Sequence, residues 1–270
     1  MRQFILKRKN LLLTAVILLS FSNYFYGQVI RPYNLIYSDN LHGGHTVIGN
    51  TLSAVYTSGN GASGTVDTVK MNDFNISNSG AYNYTKTSIY GNDNSNIQLV
   101  DIDGDTSTSN SSSAQLILPT GNNNIVFARL YWGGRITGGM GGQNHINLRT
   151  IKFKFNSENY QTIVTLPTAI DEAFIAGSGI DSVYQAYYDI TSFVTSRGGG
   201  TYTLADITAE VGPHSGGGNF AGWSMVVVYE NPSIAYSSVR VYDGFLQVYS
   251  GGSVISQSIE LSGLNAPSNF

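Results

Sequence analysis

The sequence predicts an all-β protein, a two-sheet antiparallel sandwich or jelly roll with almost no helix. Three observations predict it. Roughly a dozen short stretches are β-branched, aromatic or alternating in polarity, and turn residues separate them. One run, Met225 to Tyr229, is continuously apolar and bounded by Gly222 and by Asn231-Pro232, the pattern of a strand buried on both faces. Charged residues are only 11% of the chain, so solubility rests on Gly, Ser, Thr, Asn and Tyr, as in extracellular β proteins rather than disordered ones.

The first 28 residues are set apart from the fold. Arg2, Lys7, Arg8 and Lys9 precede an apolar stretch from Leu11 to Phe21. That is the plan of a signal peptide, too short to cross a bilayer, with cleavage expected near Gly27 or Gln28. No later run approaches the length of a membrane span, so no membrane insertion of the mature chain is expected. The chain has no cysteine, which excludes disulfides and thiolate metal sites. Residues 1–28 hold four Lys/Arg and no Asp/Glu, so the formal charge moves from −3 to −7 without them. That acidity argues against a nucleic-acid partner. The expected organisation is a signal peptide at 1–28, N-terminal strands and a polar meander at 29–94 in the same sandwich, and the main sandwich at 95–270.

Val29 to Tyr37 predicts a marginal strand, limited by Pro32. His42-Gly43-Gly44-His45 predicts a turn rather than a metal pair. Thr46 to Tyr56 is a strand, residues 57–64 a loop, and Thr65 to Ile76 one or two short strands. Asn78 to Asn96 is a Tyr-rich meander, where aromatic rings can stack on sugars.

Asp101, Asp103 and Asp105 alternate within a turn, as oxygen ligands do at the start of a calcium loop. Thr106 and Ser112 stand where an EF-hand needs Gly and Glu, so the expectation is limited to a looser calcium turn.

Ser113 to Pro119 is a strand stopped by Pro119. Ile125 to Trp132 is a longer one, with Ile125, Phe127, Arg129 and Tyr131 on one face and Val126, Ala128, Leu130 and Trp132 on the other. Arg129 needs an anionic partner there, with Glu230 and Asp243 as candidates. Gly133 to Gln143 predicts an inter-strand loop. It carries no phosphate-loop Lys. Thr150 to Phe155 alternates cleanly and pairs with Thr162 to Leu166. Residues 167–183 are the only helix-like segment. Tyr184 to Val194 reads as a strand followed by a helical turn capped by Asp189 or Thr191. Thr201 to Thr208 is a strand, 210–219 a polar loop with His214, and the run Met225 to Tyr229, within the stretch Ala221 to Pro232, the central strand. Ser237 to Val241 and Phe245 to Tyr249 flank Asp243-Gly244, which predicts a type I′ hairpin. Val254 to Leu261 is the last strand.

Ser111-Ser112-Ser113-Ala114, Ala128-Arg129-Leu130-Tyr131-Trp132-Gly133-Gly134, Tyr188-Asp189-Ile190-Thr191-Ser192-Phe193-Val194, Gly200-Thr201-Tyr202, Ala221 to Pro232 and Asp243-Gly244-Phe245 occur in this order. The set, over roughly residues 95–264, resembles the N-terminal β-sandwich module of large secreted or cell-surface proteins of Bacteroidota (type IX-secreted, adhesin-like) and related actinobacterial surface proteins. The resemblance implies a secreted or outer-surface, non-enzymatic module and supplies no ligand or catalytic residue. Such modules continue into repeats and a sorting domain, whereas this chain stops at Phe270. A fragment is therefore expected.

The expected function is a non-catalytic adhesion or structural module with surface glycans or proteins as partners. The alternative is a carbohydrate-binding module using the tyrosines near 82–90, Trp132 or Trp223. A secreted hydrolase is the third reading. It finds no G-x-S-x-G elbow, only adjacent Asp171-Glu172 and the loop residues His214-Ser215.

Overall fold

The computed structural model describes residues 28–57, 65–66, 97–137, 145–175, 181–214, 218–247 and 258. Residues 1–27, 58–64, 67–96 and 138–144, and the last strand expected at 254–261 apart from Ser258, lie outside them; the expected signal peptide and Tyr-rich meander fall there. The fold is all-β. Its strands are β1 (Gln28–Thr51), β2 (Ser53–Thr57), β3 (Thr65–Val66), β4 (Ile97–Leu99), β5 (Ser111–Leu116), β6 (Asn124–Ile136), β7 (Thr150–Phe155), β8 (Gln161–Val164), β9 (Ile170–Phe174), β10 (Ser182–Asp189), β11 (Gly200–Ala205), β12 (Ala221–Glu230) and β13 (Tyr236–Gln247). A helical turn, α1 (Thr191–Thr195), follows β10.

Six strands form one antiparallel sheet in the order β13-β1-β12-β6-β10-β9. β5-β11-β7-β8 form a second, and β3-β2-β4 a small third. The main core lies between the first two. From the six-stranded sheet come Leu130, Trp132, Tyr184, Ala186, Trp223, Met225 and Val227. From the four-stranded sheet come Leu116, Ile151, Phe153, Tyr202 and Leu204. Each of the Leu, Ile, Val, Phe and Met side chains among them, once buried, contributes about 1.5–3 kcal/mol. The two tryptophans face each other across β6 and β12. Trp132 Nε1 donates to the Leu148 carbonyl at 3.0 Å and Trp223 Nε1 to Ser112 Oγ at 2.9 Å.

β12 is central, as its apolar run predicts. It is not buried on both faces throughout: Gly222, Ser224 and Val226 stay half-exposed on the outer face. Only at Val227–Tyr229 are successive residues all buried. There a bulge shifts the β12–β6 register between Val228 and Tyr229. The same bulge reverses the expected faces of Ile125 and Val126. Ile125 joins the main core, while Val126 joins Phe127, Val228, Leu41 and Val239 in a second, smaller core on the outer face.

That second core exists because the six-stranded sheet curls. β1 pairs with β13 from Gln28 to His42 and with β12 from Gly43 to Thr51. The expected turn at His42–His45 is thus a strand changing partners. Gly43 has φ +151°, and a Cβ there would lie 2.0 Å from the Tyr229 carbonyl oxygen. Only glycine lets β1 cross so close to β12. The β1/β13 ribbon folds back over the outer face until it meets the opposite edge of the sheet. Gln247 Nε2 donates to the Phe174 carbonyl at 3.0 Å.

Three further expectations are corrected. Asp243-Gly244 is not a hairpin turn but part of continuous β13. Its pairing with β1 is irregular between Val29 and Tyr37, around Pro32, and Gly244 gives Tyr33 room. Gly133 and Gly134 belong to β6, not to a loop, and a Cβ on Gly133 would lie 2.2 Å from the Tyr184 carbonyl oxygen. The helix-like segment is a 3-10 turn at Pro167–Ala169 followed by β9. Ile170 enters the main core, while Asp171 and Ala173 lie on the other face of the strand. The β7–β8 hairpin and the helical turn after β10 match expectation, and Asp189 accepts the Thr191 N–H at 2.9 Å.

Candidate functional site

The curl of the large sheet creates a space that neither sheet would have alone. Its closed end is the small apolar core. Its middle is a charge cluster. Arg31 of β1 donates to Asp171 of β9 at 2.7 Å and to Asp243 of β13 at 2.9 Å. Arg129 of β6 donates to the other Asp243 oxygen at 3.1 Å. Of the two candidate partners for Arg129, Asp243 is the one that pairs. Glu230 instead accepts the Asn124 amide. Both guanidiniums lie over the Tyr187 ring, at 5.0 and 4.9 Å from its centre. Burial opposes the charge on Arg31, but its bonds to Asp243 and Asp171 outweigh that and raise its pKa above the ordinary value. Burial, followed by the negative charge of Asp243, holds the Tyr131 phenol well above its ordinary value.

The open end is a cleft of about 350 Å³. Register builds it. On β12 and β6, Gly222 lies opposite Gly133 and Ser224 opposite Tyr131. On β10, Gln185 lies opposite Gly133. Phe220 and Phe245 complete the walls. Nothing in the local sequence announces this cleft. The only signal is the interruption of two apolar strands by glycines.

A second buried cluster joins Arg135, Asp181 and His214. Arg135 Nη2 lies 2.8 Å from Asp181 Oδ2 and 3.1 Å from His214 Nε2, which is itself 2.6 Å from Asp181 Oδ2. Arg135 Nη1 donates to the Gly218 carbonyl at 3.0 Å. The cluster ties the end of β6 to the segment before β10 and to the 210–219 loop. The sequence points to His214 but not to its partners, because Arg135 follows two glycines that have the chemistry of a loop.

The acidic turn is well ordered by its own chain. Ser111 Oγ lies 2.7 Å from Asp101 Oδ1 and 3.1 Å from Asp103 Oδ1, and accepts the Ile102 N–H. Asp103 Oδ2 receives Lys154 Nζ at 2.6 Å and the Tyr160 hydroxyl at 2.7 Å. Partial burial works against its charge, but Lys154 and Tyr160 outweigh it and hold the carboxyl well below the usual range. Asp105 accepts the Ser107 N–H. Asp103 therefore neutralises an ammonium, Asp101 and Asp103 meet at the Ser111 hydroxyl, and Asp105 turns instead to the Ser107 N–H. Among the described residues no group of three or more His, Asp or Glu side chains is placed to hold a metal ion.

Of the aromatics considered for sugar stacking, Trp132 and Trp223 are 1% and 5% exposed and belong to the core. The tyrosines near 82–90 lie outside the described residues. Asp171 and Glu172 point apart: Asp171 binds Arg31, while Glu172 accepts the Ser182 hydroxyl. No family model matches the chain, and neither a curated protein nor a solved structure matches it.

Proposed function

We propose that this chain is a secreted or cell-surface, non-catalytic β-sandwich module of adhesion or structural type, the N-terminal part of a larger surface protein. One observation carries the reading. Arg31, Asp171, Asp243 and Arg129 are spent on one another and join β1, β9, β13 and β6. Catalytic groups are set out differently, with a nucleophile or acid held against a base and a reacting atom between them. Here the charges close a curled sheet into a stiff body, the scaffold from which loops and clefts bind. The ordered motifs from Ser111 to Phe245 support the surface-module reading. The N-terminal basic and apolar segments support export. The test is attachment of producing cells to bare and glycan-coated surfaces, with and without the coding segment. The expected result is weaker attachment on deletion, restored by re-expression, with the chain digested by protease added to intact cells. Unchanged attachment together with a protease-protected chain overturns it.

A second reading, a carbohydrate-binding module, is favoured by the cleft at the open end of the curl. Tyr131, Phe220 and Phe245 line it together with Trp132 and Trp223, which are only 1% and 5% exposed and so offer it little ring surface.

A further inference from the structure

We infer that the cleft at the open end of the curled sheet is a binding site for a neutral saccharide, held by one pyranose ring against the β6–β12 backbone. The inference rests on reading the chain as a binding module and names the site and the ligand class.

The shape comes first. Gly222 and Gly133 are register neighbours, and Gln185 continues the same row on β10. Two adjacent strands without side chains leave a floor of bare backbone. Gly133 is not replaceable at low cost, because a Cβ there meets the Tyr184 carbonyl oxygen at 2.2 Å, and at Gly222 a Cβ would fit only tightly, 3.2 Å from the Asn50 carbonyl oxygen. The fold's close strand approach thus maintains the floor. The volume of about 350 Å³ is at the small end of ligand sites, which run from about 300 to 1,000 Å³. It suits one ring and excludes a folded peptide.

The chemistry follows from the walls. Tyr131, Phe220 and Phe245 present aromatic surface, which packs against the C–H faces of a pyranose. Phe220 is 41% exposed, an open ring where a ligand would cover it. Two polar side chains reach the same space, Ser224 and Gln185. Neither makes a side-chain hydrogen bond to another described residue. Each can both donate and accept, as sugar hydroxyls do.

Charge selects a neutral ligand. The nearest ions behind the cleft are Arg31 and Arg129, and Asp171 and Asp243 already answer them at 2.7–3.1 Å. Among the described residues, an anionic ligand would find there only guanidiniums already paired with carboxylates, and a cationic one would meet the same two guanidiniums.

The test is a titration of the purified protein with methyl glucopyranosides, methyl galactopyranosides and N-acetylglucosamine, each up to about 20 mM. Readouts are backbone amide NMR shifts and tryptophan fluorescence. That range covers the millimolar affinity expected of one ring, near −4 kcal/mol by the standard conversion. The expected result is saturable shifts at Gly133, Gln185, Gly222 and Ser224 for at least one sugar. Gln185→Leu and Ser224→Val should each weaken binding about tenfold, the effect of leaving a sugar hydroxyl without its partner. Lys154→Ala, far from the cleft on β7, should leave it unchanged. Gln185→Leu keeps the approximate volume of the side chain and Ser224→Val enlarges it by one carbon, and their melting temperatures show whether they fold. Absence of saturable shifts with every sugar overturns the inference. So does binding that both folded cleft variants retain. If cell attachment falls on deletion of the chain but not with Gln185→Leu/Ser224→Val, the surface-module reading stands and the saccharide site fails.

Discussion

Replacing Asp243 by Asn tests whether the charge cluster holds the curled sheet closed. The Asp243 side chain is 3% exposed and answers two guanidiniums, one oxygen each, at 2.9 and 3.1 Å. The substituted amide would keep one acceptor and turn an N–H₂ toward the other arginine. Breaking a fully buried ion pair by removing one partner costs about 3–5 kcal/mol. The arginine side chains here are 20% and 17% exposed, and Arg31 keeps Asp171 at 2.7 Å, so water and the remaining carboxylate recover part of that. The expected loss is about 3 kcal/mol, the lower end of that range. In a chain of this size it lowers Tm by about 6–12 °C. Urea unfolding followed by tryptophan fluorescence and by circular dichroism gives the free energy. Arg129→Met should cost less, because Asp243 then still holds Arg31. The double variant should fall short of the sum by more than the ~0.5 kcal/mol expected of independent sites. A loss below about 0.5 kcal/mol for Asp243→Asn, or strict additivity with Arg129→Met, would refute the claim that this cluster staples the fold.

Three further outcomes test other parts of the structure. The Asp103 carboxyl is held below its ordinary range, so its contribution is complete above the unfolded value of about 3.9 and is lost as pH falls below it. Between pH 5 and pH 3 the urea midpoint of the wild type should fall more steeply than that of Asp103→Asn, and parallel curves would contradict the Lys154–Asp103 pairing. With Asp103 committed to Lys154 and Tyr160, Tm should be equal in EDTA and in millimolar calcium, and a calcium-dependent rise would place the ion at the Asp101–Asp105 turn. Gly43→Ala should cost about 3 kcal/mol or more, or prevent folding, because its Cβ would run into the neighbouring strand's backbone. A wild-type midpoint would refute the account of β1 changing partners there.

The strands were legible where one side of a sheet is buried. Thr150 to Phe155 alternates and is β7. The valine run at 226–228 lies in a central strand. The failures share one physical form. His42–His45, Gly133-Gly134 and Asp243-Gly244 carry local turn chemistry, yet all three lie inside strands. Turn propensity is a local preference, and tertiary packing overrides it. What overrides it here is close approach: a carbonyl of a neighbouring strand at Gly43 and Gly133, and the Tyr33 ring at Gly244. The face reversal at Ile125 and Val126 was unreadable for a related reason. A bulge inserts one residue and breaks the period of two, and no side-chain pattern marks where.

The same glycines that carry this turn chemistry make the candidate site. A side chain at Gly43 would block the crossing of β1 onto β12. Without that crossing the β1/β13 ribbon would not fold back over the outer face. Arg31 and Asp243 would then not reach Arg129 and Asp171, and Phe245 would not stand over Gly222 and Gly133. The cleft is therefore a consequence of the curl, and each of its parts comes from a different strand: Tyr131 from β6, Gln185 from β10, Ser224 from β12 and Phe245 from β13. No stretch of sequence shorter than residues 131–245 contains it, which is why a search for local motifs finds only turns.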